Sequence, residues 1–136
     1  MIYNLRRLLF GNINNNCRRN NFRPRQNKMI YNLVPLKRAR EMIENNEVLL
    51  IDVRSENEYE MMHIKNAISI PVNKIEESIN NIKKEQNIMI YCSTGSRSKQ
   101  AINKFNSMGY YNIYIWEYAA LANFIYKDLI EYPKNM

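Results

Sequence analysis

Two short apolar runs without alternation, VLLIDV (48–53) and NIMIYC (87–92), constrain the fold of this chain more than any other feature. A strand with one wet face alternates apolar and polar residues, whereas a strand covered on both faces reads as unbroken hydrophobicity. Both runs are therefore expected to be central strands. Around them lie segments with helical spacing. PLKRAREMIENN (35–46) places Leu36, Ala39, Met42 and Ile43 on one side, with Pro35 in its first turn, and SENEYE (55–60) carries the capping-box pair Ser55 and Glu58. VNKIEESINNIKK (72–84) aligns Ile75, Ile79 and Ile82, and residues 96–107 bury Ala101, Ile102 and Phe105 before Gly109. EYAALANFIYKDLIEY (117–132) reads as a last amphipathic helix, while MIYNL (29–33), AISIP (67–71) and NIYIW (112–116) read as further short strands. Alternating strands and helices predict one α/β domain, a mostly parallel sheet of about five strands flanked by helices on both faces.

The 136 residues suffice for one ordinary domain. The formal charge of +7 resembles a nucleic-acid signal until it is divided along the chain. Residues 1–40 hold ten Arg and Lys and no acid, which leaves 41–136 with ten basic and thirteen acidic residues, a net of −3. We therefore expect a flexible, basic, Asn-rich arm over 1–28 and a folded domain over 29–136. The arm has little aromatic content and no nucleic-acid-binding fold, so nucleic-acid or acidic-membrane contact through it is the weakest functional reading, and no nucleic-acid partner is expected.

Cys17 and Cys92 lie in regions of opposite character and are not expected to pair. No pair of residues has metal-ligand spacing, and His63 is the single histidine, so no metal and no organic cofactor is expected. LLF and LANFIY are too short to cross a membrane, and MIYNLRRLLFG lacks the long apolar region of a secretory signal. A cytoplasmic location, which keeps a reactive thiol reduced, is the expectation.

Cys92 stands where its strand gives way to STGSRSKQAINKF (93–105). Gly95 permits a backbone closed to other residues, and the small side chains around it leave N–H groups free to converge. A thiol at the mouth of such a turn, near a positive helix end and Arg97, is expected to be held partly as thiolate. Ligands of open α/β sheets bind beyond the C-terminal strand ends, where Cys92 lies. The bland alternative is an inert thiol at the edge of a core.

At this point the chain resembles the rhodanese family of small single-domain sulfurtransferases. CSTGSRS (92–98) is similar to the family's active-site loop, and IDVRSENEYEMMHIKNAISIP (51–71) to its second hallmark, through Asp52, Val53, Arg54, Glu58, His63, Ile64, Ala67, Ile70 and Pro71. The resemblance covers roughly residues 29–125. It implies a catalytic Cys92 and a substrate cradle of Ser93, Thr94, Gly95, Ser96 and Arg97, with Asp52, Arg54, Glu58, His63 and Ser98 as structural support. Arg97 is expected to pair with Glu58 in a buried salt bridge, and His63 to pack and hydrogen-bond rather than act as a base. Where the family commonly has glycines this chain has Met62 before the histidine and Trp116 and Glu117 after the last strand. Ser93 and Thr94 are neutral where good thiosulfate users are often basic.

Four residues separate Cys92 from Arg97, one fewer than a phosphatase loop needs, and CSTG has no second cysteine for thioredoxin-like chemistry. The chemistry implied is a sulfur relay. Cys92 takes the outer sulfur of thiosulfate or of a small or protein persulfide, then yields it as a persulfide to a thiol or cyanide. The alternative from another class is a non-catalytic binding or regulatory module of the same fold.

Overall fold

The computed structural model describes residues 28–133. The flexible-arm, signal-segment and Cys17 expectations fall outside the described residues. Five parallel strands form the sheet in the order β1-β6-β5-β2-β4: β1 (Asn32–Leu33), β2 (Leu49–Asp52), β4 (Ile68–Ser69), β5 (Ile88–Tyr91) and β6 (Ile113–Ile115). A separate antiparallel pair joins β3 (His63–Ile64) to β7 (Ile130–Glu131).

The unbroken apolar runs feed two cores by simple alternation, because successive strand residues point to opposite faces. Ile51, Ile88, Ile90 and Cys92 face a core covered by α3 (Ile75–Ser78) and α4 (Ser96–Ser107), with Ala101, Ile102 and Phe105 at its centre. Leu50, Met89 and Tyr91 face the other, covered by α1 (Leu36–Glu44) and the C-terminal segment through Ala39, Met42, Ile43, Phe124 and Leu129. The chain is thus α/β with helices on both faces of the sheet, as expected. A short α2 (Glu56–Met61) follows β2 and carries the complete capping box, with Glu58 N–H donating to Ser55 Oγ and Ser55 N–H to Glu58 Oε1.

Two expectations are corrected. Residues 72–84 do not form one helix but a 3-10 turn (Val72–Lys74) and the four-residue α3. The Tyr110 hydroxyl donates to the carbonyls of Ile79 and Ile82, capturing acceptors that a longer helix would use itself. Residues 117–132 form three 3-10 turns and β7 instead of an amphipathic helix. Tyr118 and Ala119 have φ of 68° and 50°, which breaks a right-handed helix at its start. The backbone beyond them is recruited to the end of β5, where Ala120 bridges Cys92 in parallel.

Candidate active site

Cys92 is delivered by the last register of β5 and is held by backbone on both sides. Its N–H donates to Ala119 O at 3.0 Å and its carbonyl accepts from Leu121 N–H at 2.8 Å, while Ser93 O accepts from Ala122 N–H at 3.1 Å. The side chain turns into the loop and is 1 % exposed. There the Sγ accepts N–H groups from Gly95 at 3.0 Å and Ser98 at 3.2 Å. Two donors converging on one sulfur, the second from the first turn of α4, stabilise negative charge on it.

Gly95 is irreplaceable on two counts. Its φ is 113°, and a Cβ there would stand 2.6 Å from the Tyr118 carbonyl oxygen. Loop 92–98 and the turn after β6 are therefore in direct backbone contact. Ser98 adds to this seam: its hydroxyl donates to Ala119 O at 3.0 Å, so one carbonyl accepts from both Cys92 and Ser98.

The expected pair of Arg97 and Glu58 is present, at 2.7 and 3.1 Å, with both guanidinium ends on the carboxylate. It is half-exposed rather than buried, at 33 % and 37 % side-chain exposure, because α2 lies at the rim of the loop. Hydrogen bonding from Arg97, ahead of the bonds from Ser55, holds the Glu58 carboxyl down at about 2. The same carboxylate thus closes the α2 cap and locks the cradle.

Asp52 and Arg54 form a buried pair below the loop, with Arg54 Nη2 2.7 Å from Asp52 Oδ2 and 2.6 Å from the Met62 carbonyl. Asp52 also caps the backbone N–H of Arg54 at 2.9 Å. Met62 replaces the family's glycine at no conformational cost, since its φ of −174° is ordinary extended backbone. His63 stacks on Tyr59 with ring centroids 3.8 Å apart, its Nδ1 lies 2.8 Å from the Tyr59 carbonyl and its Nε2 3.4 Å from Glu131. It pins β3 to α2 and β7, and does not join the cradle.

Of the cradle residues, Gly95 is buried, Ser93 and Arg97 are intermediate, and Thr94 and Ser96 are exposed. Sequence reasoning assigned the amides of 93–97 to binding and Ser98 to support; the N–H groups on Sγ are those of Gly95 and Ser98. It also missed Ala119, whose carbonyl organises the seam, and Tyr91, whose hydroxyl accepts Ile64 N–H at 3.0 Å. The backbone that favours glycine lies at Tyr118 and Ala119, two residues beyond Trp116 and Glu117. Trp116 is instead a core residue, its indole N–H donating to Ala120 O at 3.0 Å.

The chain is similar to several known proteins. It is 27% identical over 86 residues to the thiosulfate sulfurtransferase GlpE of Coxiella burnetii, covering 63% of this chain and 80% of that one. It is 31% identical over 97 residues to a tRNA uridine(34) hydroxylase of Photorhabdus laumondii, covering 63% of this chain but 28% of that protein's length. A crystal structure from Staphylococcus saprophyticus superposes with a TM-score of 0.59 at 26% identity, covering 68% of this chain and 92% of that one. The sequence profile of the rhodanese-like domain matches residues 36–118, from α1 through Cys92 to the seam after β6, and the chain belongs to the rhodanese-like domain family.

Proposed function

We propose that this protein is a rhodanese-type sulfurtransferase in which Cys92 carries the transferred sulfane sulfur. The observation that carries the reading is the convergence of the Gly95 and Ser98 N–H groups on the Cys92 Sγ. Similarity to a thiosulfate sulfurtransferase supports it.

The residues act in two steps. The Cys92 thiolate attacks the outer sulfur of a donor, whose sulfite or thiolate departs, leaving a Cys92 persulfide. The cradle amides, placed before reaction, stabilise charge on sulfur without reorganising. A thiol or cyanide then removes the outer sulfur and restores Cys92. Arg97 holds the loop through Glu58 rather than holding substrate. Among the described residues, the feature favouring a non-catalytic module is the 1 % exposure of Cys92.

The test is mass spectrometry of the reduced protein after brief exposure to a sulfane donor. One added sulfur on Cys92, removed by cyanide and missing from a folded Cys92→Ser variant, is the expected result. Sulfurtransferase turnover surviving in Cys92→Ser refutes the assignment.

A further inference from the structure

We propose that residues 1–5 add to the free edge of the sheet as a strand parallel to β1, supplied by the same chain. The assignment is independent of the sulfur-transfer reading. A duplicated sequence, an uncovered edge and the placement of charge carry it.

The pentapeptide MIYNL occurs twice, at 1–5 and at 29–33. The first copy lies outside the described residues, and the second shows what this sequence does beside such a sheet. It supplies β1, pairing Asn32 with Tyr114 and Leu33 with Ile115 in β6. Asn32 Nδ2 donates to Ile113 O at 3.2 Å, and Asn106 clasps the Ile30 backbone, accepting its N–H at 2.7 Å and donating to its carbonyl at 3.2 Å. The contacts that seat β1 thus come from the pentapeptide itself, and the first copy carries the same side chains in the same order.

β1 ends the order β1-β6-β5-β2-β4, and among the described residues no strand lies beyond it. Val34 N–H donates to Ile115 O, and backbone groups alternate sides along a strand, so those of Tyr31 and Leu33 point away from β6. An open row of this kind is a template for another strand. Ile30, Tyr31 and Leu33 flank it at 49, 40 and 61 % exposure, a run of large apolar side chains left in water. A strand laid in register sets Ile2 beside Ile30, Tyr3 beside Tyr31 and Leu5 beside Leu33, covering each with its like. Asn4 beside Asn32 extends the amide ladder that Asn32 begins on Ile113.

Charge selects the direction. In the parallel arrangement Arg6 and Arg7 fall beside Val34 and Pro35, which line one pocket with the exposed Glu117. The antiparallel arrangement would bring the same arginines to Lys28, at the other end of the pentapeptide. Attraction in the first case and repulsion in the second decide for parallel. Parallel neighbours need a connection of a dozen or more residues, and residues 6–28 supply 23. A tether of this kind gives a local concentration in roughly the millimolar range, above that of other copies in dilute solution.

The test is amide exchange at Tyr31 and Leu33, followed by NMR in the reduced full chain at low concentration. Exchange is expected to be roughly fivefold slower in wild type than in Asn4→Pro, which removes a ladder donor of the first copy and touches nothing in the described fold. Arg6→Glu with Arg7→Glu should speed exchange in the same way, and adding Glu117→Arg should restore the slow rate. Equal rates in wild type and Asn4→Pro overturn the proposal. Slowing that grows with protein concentration, with a dimer in sedimentation, gives the edge to a second copy and overturns the intramolecular seat. Slowing that is lost in Asn4→Pro but unmoved by the charge reversal overturns the parallel direction.

Discussion

Arg97 and Glu58, 39 residues apart, meet through two hydrogen bonds, and the same Glu58 carboxylate closes the cap of α2. Replacing Glu58 by Ala removes a capping box, worth about 1 kcal/mol, and a half-exposed ion pair worth about 0–1 kcal/mol. A loss of roughly 1–2 kcal/mol in urea unfolding is expected by adding these, with slower sulfur loading because the loop is no longer anchored. Stability within ~0.5 kcal/mol of wild type, the range of neutral surface changes, would mean that the pair is ornamental.

The depressed Glu58 carboxyl gives this pair a pH signature. A group whose folded value lies below its unfolded one contributes stability above the unfolded value, and that stability drains as pH falls through the folded value. With Glu58 held at about 2 from 4.5, the loss falls between pH 4.5 and about 2. Solvent screening at 37 % exposure makes it smaller than the shift alone implies. Acid unfolding of Glu58→Gln should show a shallower slope across that interval than wild type; superimposable slopes contradict the linkage.

The seam between Gly95 and the turn after β6 makes opposite predictions for two substitutions. Gly95→Ala forces a Cβ against the Tyr118 carbonyl at a positive φ, and should lose about 1–3 kcal/mol of stability together with sulfur loading. Ala119→Gly relaxes a φ of 50° and should leave thermal stability at or above wild type. Matching losses from both changes would show that this backbone is not strained.

A chain beginning at Met29 should retain donor turnover when a thiol or cyanide is supplied, since the cradle hydrogen bonds among the described residues lie between Asp52 and Ala122. Steady-state rates of this chain and of full-length Cys17→Ser are the comparison. A large fall in the shorter chain with its fold intact assigns a catalytic role to the upstream segment.

Much of the site was legible because its determinants are local. The turn at Gly95, the capping box of Ser55 and Glu58, and the two central strands are each written in a few adjacent residues. The segment 117–132 was not, because its helical periodicity is overridden by hydrogen bonds to Cys92 and Ser93, remote in sequence. Residues 79–84 failed likewise through Tyr110. Ala119 had no signal at all: its contribution is a carbonyl, which every residue possesses.

With both its N–H and C=O tied to residues 119 and 121, Cys92 is mounted on a rigid anvil. On the proposed reading, each round of loading would add a sulfur about 2.05 Å from Sγ, while the main chain of Cys92 stays tied to the segment after β6. Loading, on that reading, calls on local movement of the loop rather than on domain closure, and should proceed even where large motions are frozen, as in a protein immobilised within a crystal.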